Sequence, residues 1–413
     1  MSDTLSRPES LADYRLRARE WLAANVEPLP RRSDGTVIVP DRSQPSDAEL
    51  AEARAQQLVL HAAGWAGITY PEEYGGQGLS LEHEAVWQEE SAGYDVPTQI
   101  FAVSQNILGP TLVAFGTHEQ KLRHVPRILD GREIWLQLLS EPSGGSDLAG
   151  LLTRADRDGP SYILNGQKTW STGAAHADFA LCPARTRWDV PKHRGITMFM
   201  VDMHSPGMDI RPIRQINGGA EFCEEFLTDV TVSADRVLGE ENEGWRVARG
   251  MLEIEHSWVG RSGGGGTRRP TGVAELVSLA ASRQLAGDPG IQRRVAALHA
   301  LARTHDLMSV RVSKGIEDGR LSAGLSGILK LGADIVWQRR AELGLDLAGA
   351  AALAWSPEDQ HGEWARHYLT SRSASIAGGS DEIQRNNVGE VALGLPREPS
   401  FDRDVPFDQV PHN

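Results

Sequence analysis

Apolar positions near the start of the chain recur at helical spacing. Leu11, Tyr14, Ala18, Trp21 and Leu22 form one stripe, which predicts an amphipathic helix ended by Pro28 and Pro30. Residues 31–46 are polar and proline-punctuated and read as a loop. Helical patterns follow over Ala48–Ala63, Leu81–Tyr94 and Ile100–Leu129, with a turn-rich break from Tyr70 to Gly78. Near Ile134 the period changes. Ile134–Leu139, Tyr162–Leu164, Phe179–Cys182, Ile196–Val201, Met208–Pro212 and Glu225–Val232 are short β-type runs separated by Gly, Pro, Asp and Asn. Their spacing predicts an antiparallel barrel or sandwich of about 100 residues. From Glu243 the helical period returns and runs to Leu393, broken at 263–270, 287–290 and 356–359. A proline-rich tail follows from Pro396. The fold class is therefore α+β, with a helical region over 1–134, a β region over 135–240, a helical bundle over 241–395 and a tail over 396–413.

Composition narrows the classes. The chain has 413 residues, 40% hydrophobic and 24% charged, an ordinary globular mixture with length for two or three domains. The net charge of −14 disfavours a phosphate backbone as partner. Basic runs are short; Arg268-Arg269 and Arg339-Arg340 read as solvated faces. The only cysteines, Cys182 and Cys223, are too few for a disulfide framework or a structural zinc site, and no metal is expected. The N-terminus has no apolar leader, and no run approaches the roughly 18 apolar residues of a membrane span. A cytoplasmic protein working away from membranes and nucleic acids is expected.

Three segments carry candidate chemistry. Leu138–Asp147 ends the first β run with Gly144-Gly145, where backbone can approach a ligand, and with the hydroxyls of Ser140 and Ser146; an ordinary surface turn is the plain alternative. Leu164–Gly173 opens with an Asn-Gly hairpin signal, and strand alternation puts Trp170 and Thr172 on one face. That face suits a planar cofactor ring, or Trp170 is a core residue. Ile376–Asn387 has a Gly378-Gly379-Ser380 break before a new helix, which exposes N–H groups to a ligand or simply turns a corner between helices.

A fourth element is the helix after Gly244-Trp245. At about 100° per residue, Trp245, Val247, Ala248, Met251, Leu252, Ile254, Trp258 and Val259 share one broad apolar arc, and Glu255 falls near its middle. Arg246, Arg249, Glu253 and His256 fall opposite, with Glu253 placed to pair with Arg249. An inward carboxylate in apolar surroundings has a raised pKa, as a general base near neutral pH requires; a structural glutamate paired with an arginine remains the alternative.

In this order, together with Pro71–Gly78, Gly116-Thr117, Gln120-Lys121, Glu221-Phe222, Asp229-Val230, Leu238-Gly239-Glu240 and Gly244-Trp245, the segments resemble the acyl-CoA dehydrogenase family over nearly the whole chain. The resemblance implies an N-terminal helical domain, a middle β domain, a C-terminal four-helix bundle and FAD between the last two. It implies that Gln137, Ser140, Ser146, Trp170, Ser171, Thr172, Ser380 and Gln384 contact the cofactor. The expected reaction is α,β-dehydrogenation of an acyl-CoA, with electron-transfer flavoprotein or a similar acceptor, in a homo- or hetero-oligomeric dimer or tetramer. Many members place the catalytic glutamate where this chain has Gly378; a smaller branch places it on the first bundle helix, where the alignment brings Glu255. Gly378 then offers its N–H to the thioester oxygen and leaves room beside the α-carbon. Some members of related bacterial branches act on sterol side-chain thioesters, and a similarly bulky acyl group fits here. Other departures are a weak Arg283 at the site that reaches a neighbouring subunit's FAD, and a blurred adenine-side motif at Leu345–Gly349. A flavin oxidase or monooxygenase of the same fold, and a degenerate partner subunit, are the rival readings.

Overall fold

The computed structural model describes residues 9–31, 37–262, 272–354, 362–400 and 402–411. The expected breaks at 263–270 and 356–359, and Arg268-Arg269, lie outside the described residues. The chain divides into two compact units, residues 1–135 with 176–179, and residues 136–175 with 180–413.

The first unit is helical. It holds α1 (Leu11–Asn25), α2 (Asp47–Ala62), α3 (Leu81–Ser91), α4 (Thr98–Val103), α5 (Gly109–Phe115) and α6 (His118–Leu129). Ser10, Ser46 and Thr117 cap α1, α2 and α6 by accepting from a backbone N–H, and Ser46 and Thr117 complete capping boxes with Glu49 and Gln120. The single helix expected over Ile100–Leu129 is instead three. A π-helical turn at Ser104–Leu108 separates α4 from α5, and Gly116-Thr117 stops α5 so that Thr117 can start α6. Tyr14, Ala18, Leu60, Trp65 and Val86 form the core between α1, α2 and α3, with Trp65 stacked on Trp87.

The second unit joins a seven-stranded sheet to the remaining helices. The strands are β1 (Trp135–Gln137), β2 (Arg154–Asp158), β3 (Ser161–Thr172), β4 (Phe179–Arg185), β5 (Ile196–Asp202), β6 (Met208–Pro212) and β7 (Phe222–Ser233). Their order is β1-β4-β2-β3-β7-β6, with β5 on β4. The pairings β2–β3, β3–β7 and β6–β7 are antiparallel, and β2–β4 is parallel. β2 escaped the sequence reading because four of its five residues are charged and only Ala155 is buried. β4 and β5 are buried almost throughout, which explains their continuous apolar runs.

The helices are α7 (Gly244–Ser262), α8 (Ala274–Ser282), α9 (Pro289–Glu317), α10 (Ser326–Ala348), α11 (Gly362–Ser371) and α12 (Asp381–Asn387). Leu276, Ala280, Leu298, Ala302, Val336, Leu343, Leu347 and Trp364 form their core. Arg340, expected on a solvated face, is buried there, paired with Glu275 and lying 4.9 Å from the Trp364 ring centre. The alternation of apolar and charged residues in α10 hid this, because a buried arginine needs a partner that only the tertiary fold supplies. Cys182 and Cys223 are free and buried, as small apolar residues. The proline-rich end is not loose. Phe407 is buried, its N–H bonds to Val190 O at 2.9 Å, and the Arg185 guanidinium lies 3.5 Å over its ring centre. No helix of the described residues is long and apolar enough to cross a membrane.

Candidate active site

The start of α7 is fixed by close backbone approach. A Cβ on Gly244 would lie 2.6 Å from Met198 N and from Thr197 C, so only glycine lets the helix leave from beside β5. Trp245 then packs on Ala149, Leu151 and Ile196. Val247, Ala248, Met251 and Trp258 are buried on the arc the sequence predicts, and Arg249 and Glu253 meet outside it at 3.6 Å. Glu255 points the other way from Glu253. Its Oε2 accepts from Gln137 Nε2 at 3.2 Å. Burial pushes its carboxyl up; the Gln137 bond and nearby His256 oppose this only in part. No arginine pairs with Glu255 among the described residues. Gln137 Oε1 is buried and has no hydrogen-bond partner among the described residues.

β3 shows how the second segment is aimed. The β3–β7 register slips between Thr169 and Ser171, and Trp170 sits at φ 67°. A non-glycine residue in the left-handed region is strained and marks a bulge that re-aims its side chain. Trp170 is 58% exposed, and among the described residues its ring makes one aromatic contact, edge-on to Phe222 at 6.0 Å. It is not a core tryptophan. Thr172 is exposed as well, whereas Ser171 is buried and donates from Oγ to Glu225 Oε2 at 3.1 Å. The Ser171 hydroxyl is thus turned into the sheet. This agrees with the alternation that puts Trp170 and Thr172 together on the other face.

The Ser140 loop joins β3 directly, for Ser140 O accepts from Thr169 N at 2.9 Å. Beneath it lies a buried ion pair that sequence reasoning missed. Lys168 Nζ donates to Glu141 Oε1 at 2.8 Å and to Pro183 O at 3.0 Å, while Glu141 also accepts from Leu152 N at 2.6 Å and Thr153 N at 3.0 Å. Burial alone would raise the Glu141 carboxyl, but Lys168 and these donors outweigh it and hold it below the usual value. Ser146 is exposed at the loop tip, beside Asp147, which pairs with Lys192 at 3.1 Å.

In the third segment Gly378 and Gly379 have φ 68° and 83°. Gln384 Nε2 donates to Gly378 O at 2.9 Å, and Ser380 caps α12 by accepting from Ile383 N at 3.3 Å. The Gly378 N–H has no partner among the described residues, and a Cβ there would meet nothing within 4 Å. No hydrogen bond among the described residues ties this segment to Glu255 or Trp170. Arg283, the weak candidate for a neighbouring subunit's cofactor, donates to Ala348 O at the end of α10 of its own chain.

Glu225 is a further buried carboxylate that sequence reasoning missed. Its signal was available: in Phe222-Cys223-Glu224-Glu225-Phe226-Leu227, alternation places Glu225 inward with Cys223 and Leu227, and all three are buried.

Comparison with known proteins agrees with this layout. The acyl-CoA dehydrogenase N-terminal, middle and C-terminal domain families match residues 9–132, 137–230 and 242–393. The chain is 36% identical over 395 residues to acyl-CoA dehydrogenase IpdE1 of Mycobacterium tuberculosis, covering 94% of this chain and 99% of that one. It is 36% identical over 407 residues to the protein of that name from Mycolicibacterium smegmatis, covering 94% and 98%. A solved structure, the Tcur3481-Tcur3483 steroid acyl-CoA dehydrogenase, superposes with a TM-score of 0.76 at 28% identity over 96% of this chain and 100% of that one. Acyl-CoA dehydrogenases are flavoproteins, generally FAD-dependent, that oxidise acyl-CoA thioesters. With all three domain families matched in sequence and full-length relatives on both sides, the chain belongs to the acyl-CoA dehydrogenase family of oxidoreductases.

Proposed function

We propose that the protein is a catalytic acyl-CoA dehydrogenase subunit in which Glu255 removes the α-proton of the thioester and FAD lies against Trp170 and Thr172. The observation that carries this is the Glu255 carboxylate itself, inward on α7, raised by burial and held by the Gln137 amide at 3.2 Å. A raised carboxyl is matched to proton abstraction near neutral pH. The residues fit the cofactor. An exposed indole on a strained bulge has no structural reason to face outward, and it suits a planar ring. Gln137 Oε1 is a buried acceptor with no donor among the described residues.

FAD, when bound, supplies the acceptor for the β-hydride. The chain's own residues do the rest. Gln137 fixes one Glu255 oxygen by donating to it, which leaves the other free to take the α-proton. As the α-carbon loses its proton, negative charge grows on the thioester oxygen. The unpaired N–H of Gly378 is a donor for that charge. Gly378 brings no carboxylate and no bulk, and the space where a Cβ would stand is open. That room, and the likeness to a steroid acyl-CoA dehydrogenase, favour a bulky ring-bearing or branched acyl group over a short straight chain. Homo- or hetero-oligomeric assembly, and electron-transfer flavoprotein or a similar acceptor, belong to the same proposal.

Purification without added flavin followed by anaerobic mixing with straight-chain, branched and ring-bearing acyl-CoAs tests it. A yellow protein whose flavin bleaches, fastest with a bulky thioester, is expected. Colourless protein that takes up no FAD would favour the partner-subunit reading. Rapid oxygen consumption in air would favour an oxidase.

A further inference from the structure

Glu225 is a buried carboxylate that the proposed reaction leaves without a role. It lies in the middle of β7, opposite Lys168 of β3 on one side and Ile210 of β6 on the other. The groups that face it are few. Across on β3, the Lys168 ammonium is committed to Glu141, Leu139 O and Pro183 O. On β4, Cys182 is a neutral thiol that burial pushes up to about 11. On β7 itself, Glu224 adds negative charge and Cys223 is a buried thiol. On β6, Arg211 is turned to Asp209. Among the described residues no cation pairs directly with Glu225, though the Lys168 charge lowers its carboxyl in part, and its Oε1 has no hydrogen-bond partner. Its one hydrogen bond is from Ser171 Oγ, the residue directly after the strained Trp170.

A buried carboxylate without a direct ion pair is costly, and an acceptor left half-satisfied beside a strained backbone marks a functional arrangement. We propose that Glu225 is a positioning residue of the cofactor wall, which through Ser171 Oγ pins the Thr169–Ser171 bulge and so aims Trp170 at the flavin. The inference rests on the functional reading above, because it needs FAD on Trp170. An ionised Glu225 can only accept, so the Ser171 hydroxyl must point to it, in a charge-assisted bond. When Glu225 takes a proton from solvent the bond weakens or reverses, and the hold on the bulge slackens. Burial pushes this carboxyl up to about 7, so the change falls within the working range of pH.

The test is the rate at which FAD leaves the diluted holoenzyme, followed by flavin fluorescence between pH 5.5 and 8.5, for wild type, E225Q, E225V and S171A. Wild type is expected to release FAD several-fold faster at the acid end. E225V and S171A should release it at least tenfold faster than wild type at pH 8. E225Q keeps an acceptor oxygen for Ser171, so it should hold FAD better than E225V and lose the pH dependence. Should E225V fail to fold, S171A, which removes one oxygen atom, carries the comparison. Wild-type release rates in folded E225V or S171A, or an unchanged pH dependence in E225Q, would overturn the inference alone. A wild-type chain that binds no FAD would overturn the functional reading along with it.

Discussion

Glu253 and Glu255 differ by two positions and by everything that matters for chemistry. Glu253 faces solvent and pairs with Arg249, while Glu255 faces inward and is raised by burial. That contrast was legible in the sequence, because α7 is regular and helical geometry fixes which side each residue takes. Gln137, by contrast, becomes the partner of Glu255 across 118 positions, and no local pattern announces such a contact. The bond from Ser171 Oγ to Glu225 across 54 positions is likewise a tertiary contact that no local pattern announces. Glu225 makes the residue scale testable through stability. Its carboxyl rises from 4.5 to about 7 in the folded protein, so between those values the folded state binds the extra proton. Its contribution to stability is therefore largest below pH 4.5, falls as pH rises to about 7, and is flat above. Replacement by Gln removes that slope. Urea unfolding should show E225Q gaining on wild type by on the order of 1–3 kcal/mol between pH 5 and pH 8.

Elements were legible where their burial leaves a plain mark in the sequence, a continuous apolar run for buried β5 and a stripe for half-buried α1. The expected bounds of β5 and β6 come within a residue of those observed, and α1 and α2 follow their stripes. β2 was invisible because it carries charge on nearly every position and owes its place to the β3 ladder, from Arg154 opposite Asn165 to Asp158 opposite Ser161. The Ser140 loop and β3 are held as one piece by the Lys168–Glu141 pair, both side chains being essentially buried. Removing one partner of such a pair strands the other charge. K168M should cost about 3–5 kcal/mol, and its flavin should be released more readily because Thr169 and Ser140 lose their common anchor. Thermal unfolding and flavin retention on gel filtration check both parts. A variant as stable as wild type would show that Glu141 finds a second partner.

The whole molecule holds a feature that proline content concealed. The end of the chain returns to the sheet region. Phe407 fills the space under Arg185 and Trp188, and Asp402 pairs with Lys192 at 2.6 Å, the same lysine that meets Asp147 of the loop bearing Ser146. Composition reads such a stretch as a tail because prolines break periodicity; tertiary burial of one aromatic residue decides otherwise. F407A should cost about 3–5 kcal/mol. It should also open residues 396–411 to limited proteolysis, which leaves the wild-type segment intact. The family was legible from ordered motifs spread over the chain, and the site within it rests on Glu255 above all. Rapid anaerobic mixing of wild type and E255Q, both loaded with FAD, with the acyl-CoA that bleaches the wild-type flavin fastest tests that directly. Wild-type bleaching should quicken with rising pH as Glu255 ionises, and E255Q should lose roughly 10²–10⁴-fold in rate with FAD retained. Near-normal bleaching in flavin-loaded E255Q would contradict the role given to Glu255.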